Sequence, residues 1–390
     1  MKKLFLLFLI PGILLFSCSD KQTAQNIEVS AKQYEIIFTD SIKIPYLGNP
    51  ILQDVSPSNQ KILFTEIGEY EMEIFTANFD GEIIHSFIAN GNTIVGNLKQ
   101  IAPLRFEDDG NSFLSFGVPH VKIVSLDGTE VKTIFTGIPS YYSAHPSPSN
   151  EIVKRNNKIF YSNRTDDGTY NRYQKEYLPN LKLIGYLDLD SSKTTNFLSF
   201  PEESIYQNGL IFPHSNWVSH FIFSENELIV VFEGEPAIFV FDGEEPFSFK
   251  QKIELNLPDF KAYKGHPEGE EGIDILDAFS TLGKIESIKK VGEYVVIGYK
   301  QGFTDQQIRN LGNVISPQEK GKMIREYEKE NSSRIQLLDE TFQVLDDFPK
   351  PKHLKISSLM VRDGHLWGSK FDPETEEDFF TIYKLEIQEK

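Results

Sequence analysis

One unit of sequence recurs along this chain and limits its fold more than any other feature. It consists of β-branched or aromatic runs joined by tight turns, the last of which is built on Asp-Gly or a close variant. In the clearest copy Lys61-Ile62-Leu63-Phe64-Thr65 reads as a strand, Glu73-Ile74-Phe75-Thr76-Ala77-Asn78 as a second, Asp80-Gly81 as the turn and residues 82–87 as a third. The preceding Val55-Ser56-Pro57-Ser58-Asn59-Gln60 reads as a turn. Asp and Gly tolerate the positive φ that a two-residue connection demands, so each such pair marks a hairpin. Equivalent turns follow at Asp127-Gly128, Asp190-Ser191, Asp242-Gly243 and Asp339-Glu340. A sixth unit runs from a strand at 356–361 through Asp363-Gly364 to a last strand at 380–387.

Four strands repeated every roughly 40–50 residues are the signature of propeller blades. The interval before Asp339 is about twice that length and either hides a further blade or carries insertions. Residues 259–281 read as an acidic, glycine-containing loop, and Ser316-Pro317-Gln318-Glu319 is a capping box opening a helix to Glu330. The expectation is therefore an all-β chain forming a six-bladed β-propeller with a helical insertion near 316–330, seven blades being the alternative. The sixth unit supplies three strands, while the runs 34–39 and 41–44 have no partner of their own. Placed outside the last blade, that N-terminal strand closes the ring and removes its open edges. About two dozen strands are too many for a β-sandwich.

The first residues describe an export signal. Lys2 and Lys3 precede an apolar stretch at 4–15, and Leu15-Phe16-Ser17-Cys18 matches the bacterial lipobox, in which the cysteine is acylated and becomes the new N-terminus. The stretch is short of the ~20 apolar residues that span a bilayer, and polar Ser19, Asp20 and Lys21 follow at once. We read residues 1–17 as a signal peptide, 18–33 as a lipidated flexible tether and 34–390 as the propeller. Localisation in the cell envelope follows, extracytoplasmic and anchored by lipid, with the outer membrane preferred. Cys18 is the sole cysteine, so the body has no disulfide, thiolate metal site or cysteine nucleophile.

Charge narrows the partners. With 57 acidic against 39 basic residues the formal net charge is −18, and losing Lys2 and Lys3 takes it to −20. Such a surface repels nucleic acid. It also disfavours anionic lipid, leaving the lipid on Cys18 to hold the membrane.

The string Ser56-Pro57-Ser58-Asn59-Gln60-Lys61-Ile62-Leu63-Phe64-Thr65, followed by Ile74-Phe75-Thr76-Ala77-Asn78-Phe79-Asp80-Gly81, resembles the blade of TolB-like propellers. Together with the lipobox it is similar to six-bladed TolB-like propeller lipoproteins of Gram-negative bacteria whose function is unknown. That resemblance implies fold and location and carries no catalytic residue across.

The sequence has no Gly-x-Ser-x-Gly elbow, His-Glu-x-x-His or phosphate-binding Gly-rich loop. The acidic segment His266-Pro267-Glu268-Gly269-Glu270-Glu271-Gly272-Ile273-Asp274, with Asp277, offers oxygen ligands of the kind Ca²⁺ takes, but its spacing is not that of an EF-hand, and a solvated acidic loop accounts for it. No cofactor is otherwise indicated. Tyr141, Tyr142 and His145, and His214 with Trp217, fall where a connection reaches the innermost strand of a blade. Aromatics beside His suit a glycan or peptide through stacking and hydrogen bonds, while packing between blades accounts for them equally. Arg105, in an innermost strand, is a further candidate, as a ligand contact or a buried ion pair. The reading is a binding or scaffold propeller for a glycan, peptide or envelope protein. Its rival is a metal-dependent lactonase-like hydrolase or lyase with Glu107, Asn216 and Asp274 around an axial divalent ion.

A fatty-acid analogue fed to cells is expected to label the wild-type chain and not Cys18→Ala. Equal labelling of the two removes the lipid anchor.

Overall fold

The computed structural model describes residues 32–390 except 69–70, 90–98, 101, 137–151, 164–167, 213–216, 271–280, 373–374 and 376. The strands assemble into six antiparallel sheets, each a blade; in the first five the strands run outward in chain order. The first blade holds Ile51–Ser56, Lys61–Ile67, Met72–Asn78 and Ile83–Ala89. The second holds Arg105–Phe106, Ser112–Val118, His120–Ser125 and Glu130–Phe135, with Lys99–Gln100 also paired to its second strand. The third is built from Val153–Arg155, Lys158–Ser162, Ile184–Asp188 and Lys193–Leu198, and the fourth from Ser219–Ser224, Glu227–Phe232, Glu235–Asp242 and Phe249–Glu254. The fifth comprises Lys284–Val291, Tyr294–Lys300, Arg334–Leu338 and Val344–Pro349. The sixth takes Met360–Arg362, His365–Ser369 and Phe379–Glu389 from the end of the chain and Tyr34–Pro45 from its beginning. This is the six-bladed propeller closed by an N-terminal strand that the repeat predicts.

Its apolar interior is divided into six clusters, one at each junction between neighbouring blades, and this explains the strand sequences. In the fourth blade Leu228, Val230 and Phe232 pack toward the third, whereas Ile229 and Val231 pack toward the fifth. In the first blade Ile62 and Phe64 face the sixth and Leu63 faces the second. A middle strand buried on both faces reads as an unbroken apolar run; an outermost strand such as Glu130–Phe135, with one side in water, does not.

The closing strand serves two junctions. Tyr34 and Ile36 join Val296, Ile335 and Leu337 of the fifth blade. Ile42 and Ile44 join Leu52, Ile62 and Phe64 of the first. All four are even-numbered, and in a regular strand they would share one face. A bulge between Phe38 and Asp40, whose partners Leu385 and Lys384 are adjacent, inserts one residue and turns the second half over. The Asp80-Gly81 turn rests on this strand: Gly81 has φ +87°, and a Cβ there would lie 2.2 Å from the carbonyl oxygen of Lys43.

Three local readings differ from the sequence expectation. Val55 and Ser56 end the innermost strand Ile51–Ser56, and only 57–60 form the turn. Residues Ile356–Ser358 form a 3-10 turn, so the innermost strand of the sixth blade is the shorter Met360–Arg362. The expected helix is present as Pro317–Glu330, preceded by a second, Asp305–Gly312, whose Thr304 and Gln307 form a full capping box. No helix among the described residues is long and apolar enough to cross a membrane.

Deleting residues 32–44 is expected to lower stability cooperatively by several kcal/mol, through lost burial and strand pairing. Ile44→Ala alone, at a fully buried position, should cost ~2–5 kcal/mol. Urea melts read both, and a deletion that melts like the parent refutes closure by this strand.

Candidate functional site

Because successive strands of a blade are antiparallel, alternate connections emerge at opposite ends of the ring. At one end every link is short: residues 57–60, 107–111, 156–157, 225–226, 292–293 and 363–364, together with the outer turns. Asp127 shows how these turns are held: the Ser125 hydroxyl and the Thr129 amide donate to its carboxylate and bring its pKa down to about 2. At the other end emerge the long connections 136–152, 163–183, 199–218, 255–283 and 301–333, the last with both helices.

The innermost strands carry buried polar groups, and most of these tie blades together. Asp54, 2% exposed, accepts from Arg362 Nε of the sixth blade and, at 2.8 Å, from the Phe106 amide of the second. Gln53 accepts from the Leu104 amide (3.0 Å) and donates to Thr65 Oγ1 (3.0 Å). Arg105 donates through Nη1 to the Ile152 carbonyl of the next blade (2.7 Å). His220 Nε2 lies 3.2 Å from Glu233 Oε1, which also meets Lys284 of the fifth blade at 3.2 Å. These contacts satisfy groups that are costly to bury alone and lock the order of the blades.

Of the candidate ligand contacts, Tyr141, Tyr142, His145 and His214 lie outside the described residues. Trp217 is 1% exposed, in the cluster between the third and fourth blades with Tyr177 edge-on to its ring at 6.5 Å. Its indole packs the interior and offers no face for a ligand to stack on. Arg105 holds two blades together, as described above. Of the axial metal set, Asn216 and Asp274 lie outside the described residues. Glu107 stands at the short-linked end, paired with Lys154 at 2.7 Å. In the acidic loop His266 Nδ1 meets the Tyr263 hydroxyl at 2.7 Å, and Glu271, Asp274 and Asp277 are outside the described residues. No group of three or more metal-ligating side chains occurs among the described residues.

A cleft that sequence reasoning missed opens at the long-connection end, between the sixth blade and the first. Its volume is about 700 Å³, within the range of small-ligand sites. One wall is the 46–50 connection, held by Glu66, which accepts from the Tyr46 hydroxyl and the Asn49 amide (3.1 Å). Burial and this carboxylate push the Tyr46 phenol well above its ordinary pKa. The opposite wall is lined by Lys370, Phe371, Asp372, Thr375 and Glu377, the described part of the 370–378 connection with Asp378; there Lys370 pairs with Glu377, and Asp372 accepts from Thr375 Oγ1 and lies 3.1 Å from His353 Nδ1. Phe371 and Phe379 are about half exposed at its mouth. Lys355 lines it with no hydrogen bond or ion pair to its side chain among the described residues, and burial alone pushes its pKa below the ordinary lysine value. No motif marks this residue; its setting joins segments some three hundred positions apart.

No family model and no curated protein matches the sequence. Solved structures do. A member of the DUF4221 family from Bacteroides vulgatus superposes with a TM-score of 0.65 at 14% identity, over 92% of this chain and 99% of that one. A protein from Bacteroides fragilis gives 0.50 at 11% identity, over 91% and 95%. These likenesses concern the fold, a propeller spanning nearly the whole of each chain.

The Asp54 node generates a stability prediction. Asp54→Ala removes the buried carboxylate that Arg362 Nε meets and the acceptor of the Phe106 amide, and should cost ~3–5 kcal/mol in denaturant melts. A double-mutant cycle with Arg362→Ala should give a coupling of at least ~1 kcal/mol. Additive losses would show that the two side chains act separately.

Proposed function

We propose that this chain is a membrane-anchored, extracytoplasmic binding or scaffold propeller, held at the outer membrane by a lipid on Cys18, that takes a glycan, a peptide or an envelope protein without turning it over. One observation carries the reading. The long connections and the 700 Å³ cleft open at a single end of the ring, while tight turns occupy the other. A rigid scaffold presenting variable loops on one face is how binding sites are commonly built. Asp54 and His220 on innermost strands, and Glu233 in the turn between the second and third strands of the fourth blade, have structural partners, which is consistent with a binding role. The acidic body fits an anchor made by lipid rather than by protein charge.

The experiment is a thermal-shift screen of the purified full-length protein against neutral and acidic glycans and peptides, with and without EDTA, alongside metal analysis. The expected result is a metal-free protein stabilised by one ligand class, unaffected by EDTA, that leaves the ligand intact. A stoichiometric divalent ion, with hydrolysis of lactones or esters that EDTA abolishes, overturns this in favour of the metal-dependent enzyme.

A further inference from the structure

We propose that the outermost strand of the first blade, Ile83–Ala89, is a pairing edge through which two copies of this chain associate, strand against antiparallel strand about a two-fold axis. The inference concerns the rim of the ring and goes beyond the ligand reading, which does not depend on it.

An outermost strand presents a row of backbone N–H and C=O groups to solvent, and proteins keep such edges from pairing by placing charges and prolines on them. Five of the six outermost strands follow that rule: Lys132, Lys193, Lys250, Asp346 and Lys43 each stand on a different one. Ile83–Ala89 is the exception. It reads Ile-Ile-His-Ser-Phe-Ile-Ala, with no Lys, Arg, Asp, Glu or Pro. Ile84 is 37% and Ile88 42% exposed, and His85 and Ser86 between them are exposed as well. Among the described residues the strand pairs with Met72–Asn78 alone. A bulge bends its start between Ile83 and His85, but the outermost pairs of the next four blades carry bulges too, so the lack of charge is what sets this edge apart.

Charge also selects the occupant. At a net charge of −18, two copies repel wherever their acids meet, and an uncharged edge is where their backbones approach at least cost. A two-fold interface must match itself, and identical antiparallel strands without acids or bases set no like charges opposite one another in any register. The same contact on the fifth blade would set Asp346 and Asp347 of one copy against those of the other. Blade twist settles the orientation. Each step between neighbouring strands turns by roughly 20–25°, so the outermost strand lies roughly 60–75° from the innermost, which runs along the ring axis. The two-fold relating antiparallel edges is normal to the sheet and therefore close to the ring axis. Both copies then present to one side the short-linked end, where Tyr34 enters the ring opposite Glu389. Such a contact is small among specific interfaces, so the dimer forms with rising concentration and is not obligate.

Sedimentation equilibrium of the full-length protein in density-matched detergent should show monomer giving way to dimer as concentration rises, and more readily as salt screens the acidic bodies. Ile88→Lys and Ser86→Lys, each putting a charge at an exposed position of the edge, should weaken association at least tenfold while keeping the parent's melting temperature within a few degrees. Each added lysine lowers the net negative charge, so the loss cannot come from greater repulsion between bodies. Ile315→Lys, at a side chain 98% exposed on the insertion of the fifth blade, should leave association unchanged. Hydrogen exchange gives a second measure: the amides of residues 83–89 should slow with rising concentration in the parent and not in Ile88→Lys. A monomer at every concentration overturns the proposal, whether these amides exchange fast or are already protected by the chain itself. Association that survives both edge lysines, or is lost in Ile315→Lys, places the contact on another surface and overturns it as well. A monomeric protein that still binds a ligand in the thermal-shift screen removes the pairing edge and leaves the ligand face standing.

Discussion

The pairing of Tyr34–Pro45 with Phe379–Glu389 is the contact on which the ring depends. A propeller has no single core. Here its apolar interior is split among six junctions, five of them between blades that follow one another along the chain and therefore start close together. The sixth brings the last blade against the first across almost the whole sequence, and the closure entropy of so long a loop must be met by contacts made there. Strand exchange meets it with an eleven-position register of paired residues, and the bulge at Phe38 and Asp40 lets one strand fill both neighbouring junctions. Two apolar pairs of like parity, Tyr34 with Ile36 and Ile42 with Ile44, thereby seal opposite faces.

Closure also shapes where chemistry can occur. Asp54 and Arg362 hold blades on one side, and Glu233, in a turn of the fourth blade, does so with His220 and Lys284 on another, so these polar groups are committed to ordering the ring. Gly298 shows how tightly the junctions fit: a Cβ there would lie 2.4 Å from Ile356 Cγ2, on the turn that follows Lys355. The packing of the fifth blade against the sixth therefore helps to fix the turn that follows Lys355.

Much of this was legible beforehand because it is local. Asp-Gly turns, β-branched runs and the Ser316-Pro317 helix start each depend on a few neighbouring residues, and they yielded blades, closure and the helix Pro317–Glu330. The helix Asp305–Gly312 was equally local, its Thr304 to Gln307 box being present in the sequence, and it went unread inside a long insertion. The strand Ile51–Ser56 was hidden for another reason. Gln53 and Asp54 interrupt its apolar pattern, and they find partners only in the ring, where they accept from the amides of Leu104 and Phe106 of the next blade.

By itself, then, the sequence determined the class of fold, a count of six or seven blades, the strand that closes them and the acidity of the body, since each is written in short-range periodicity or in composition; the structure settled on six. Only the tertiary structure decided what individual polar and aromatic side chains do. Trp217 looked like a stacking platform and became interior because Tyr177 and the fourth blade cover it. Lys355 belongs to no motif, and only the fold sets it in a cleft, where the 46–50 connection approaches the described residues of 370–378. Burial and the presence of a counter-ion depend on residues far apart in the chain, and no local pattern encodes them.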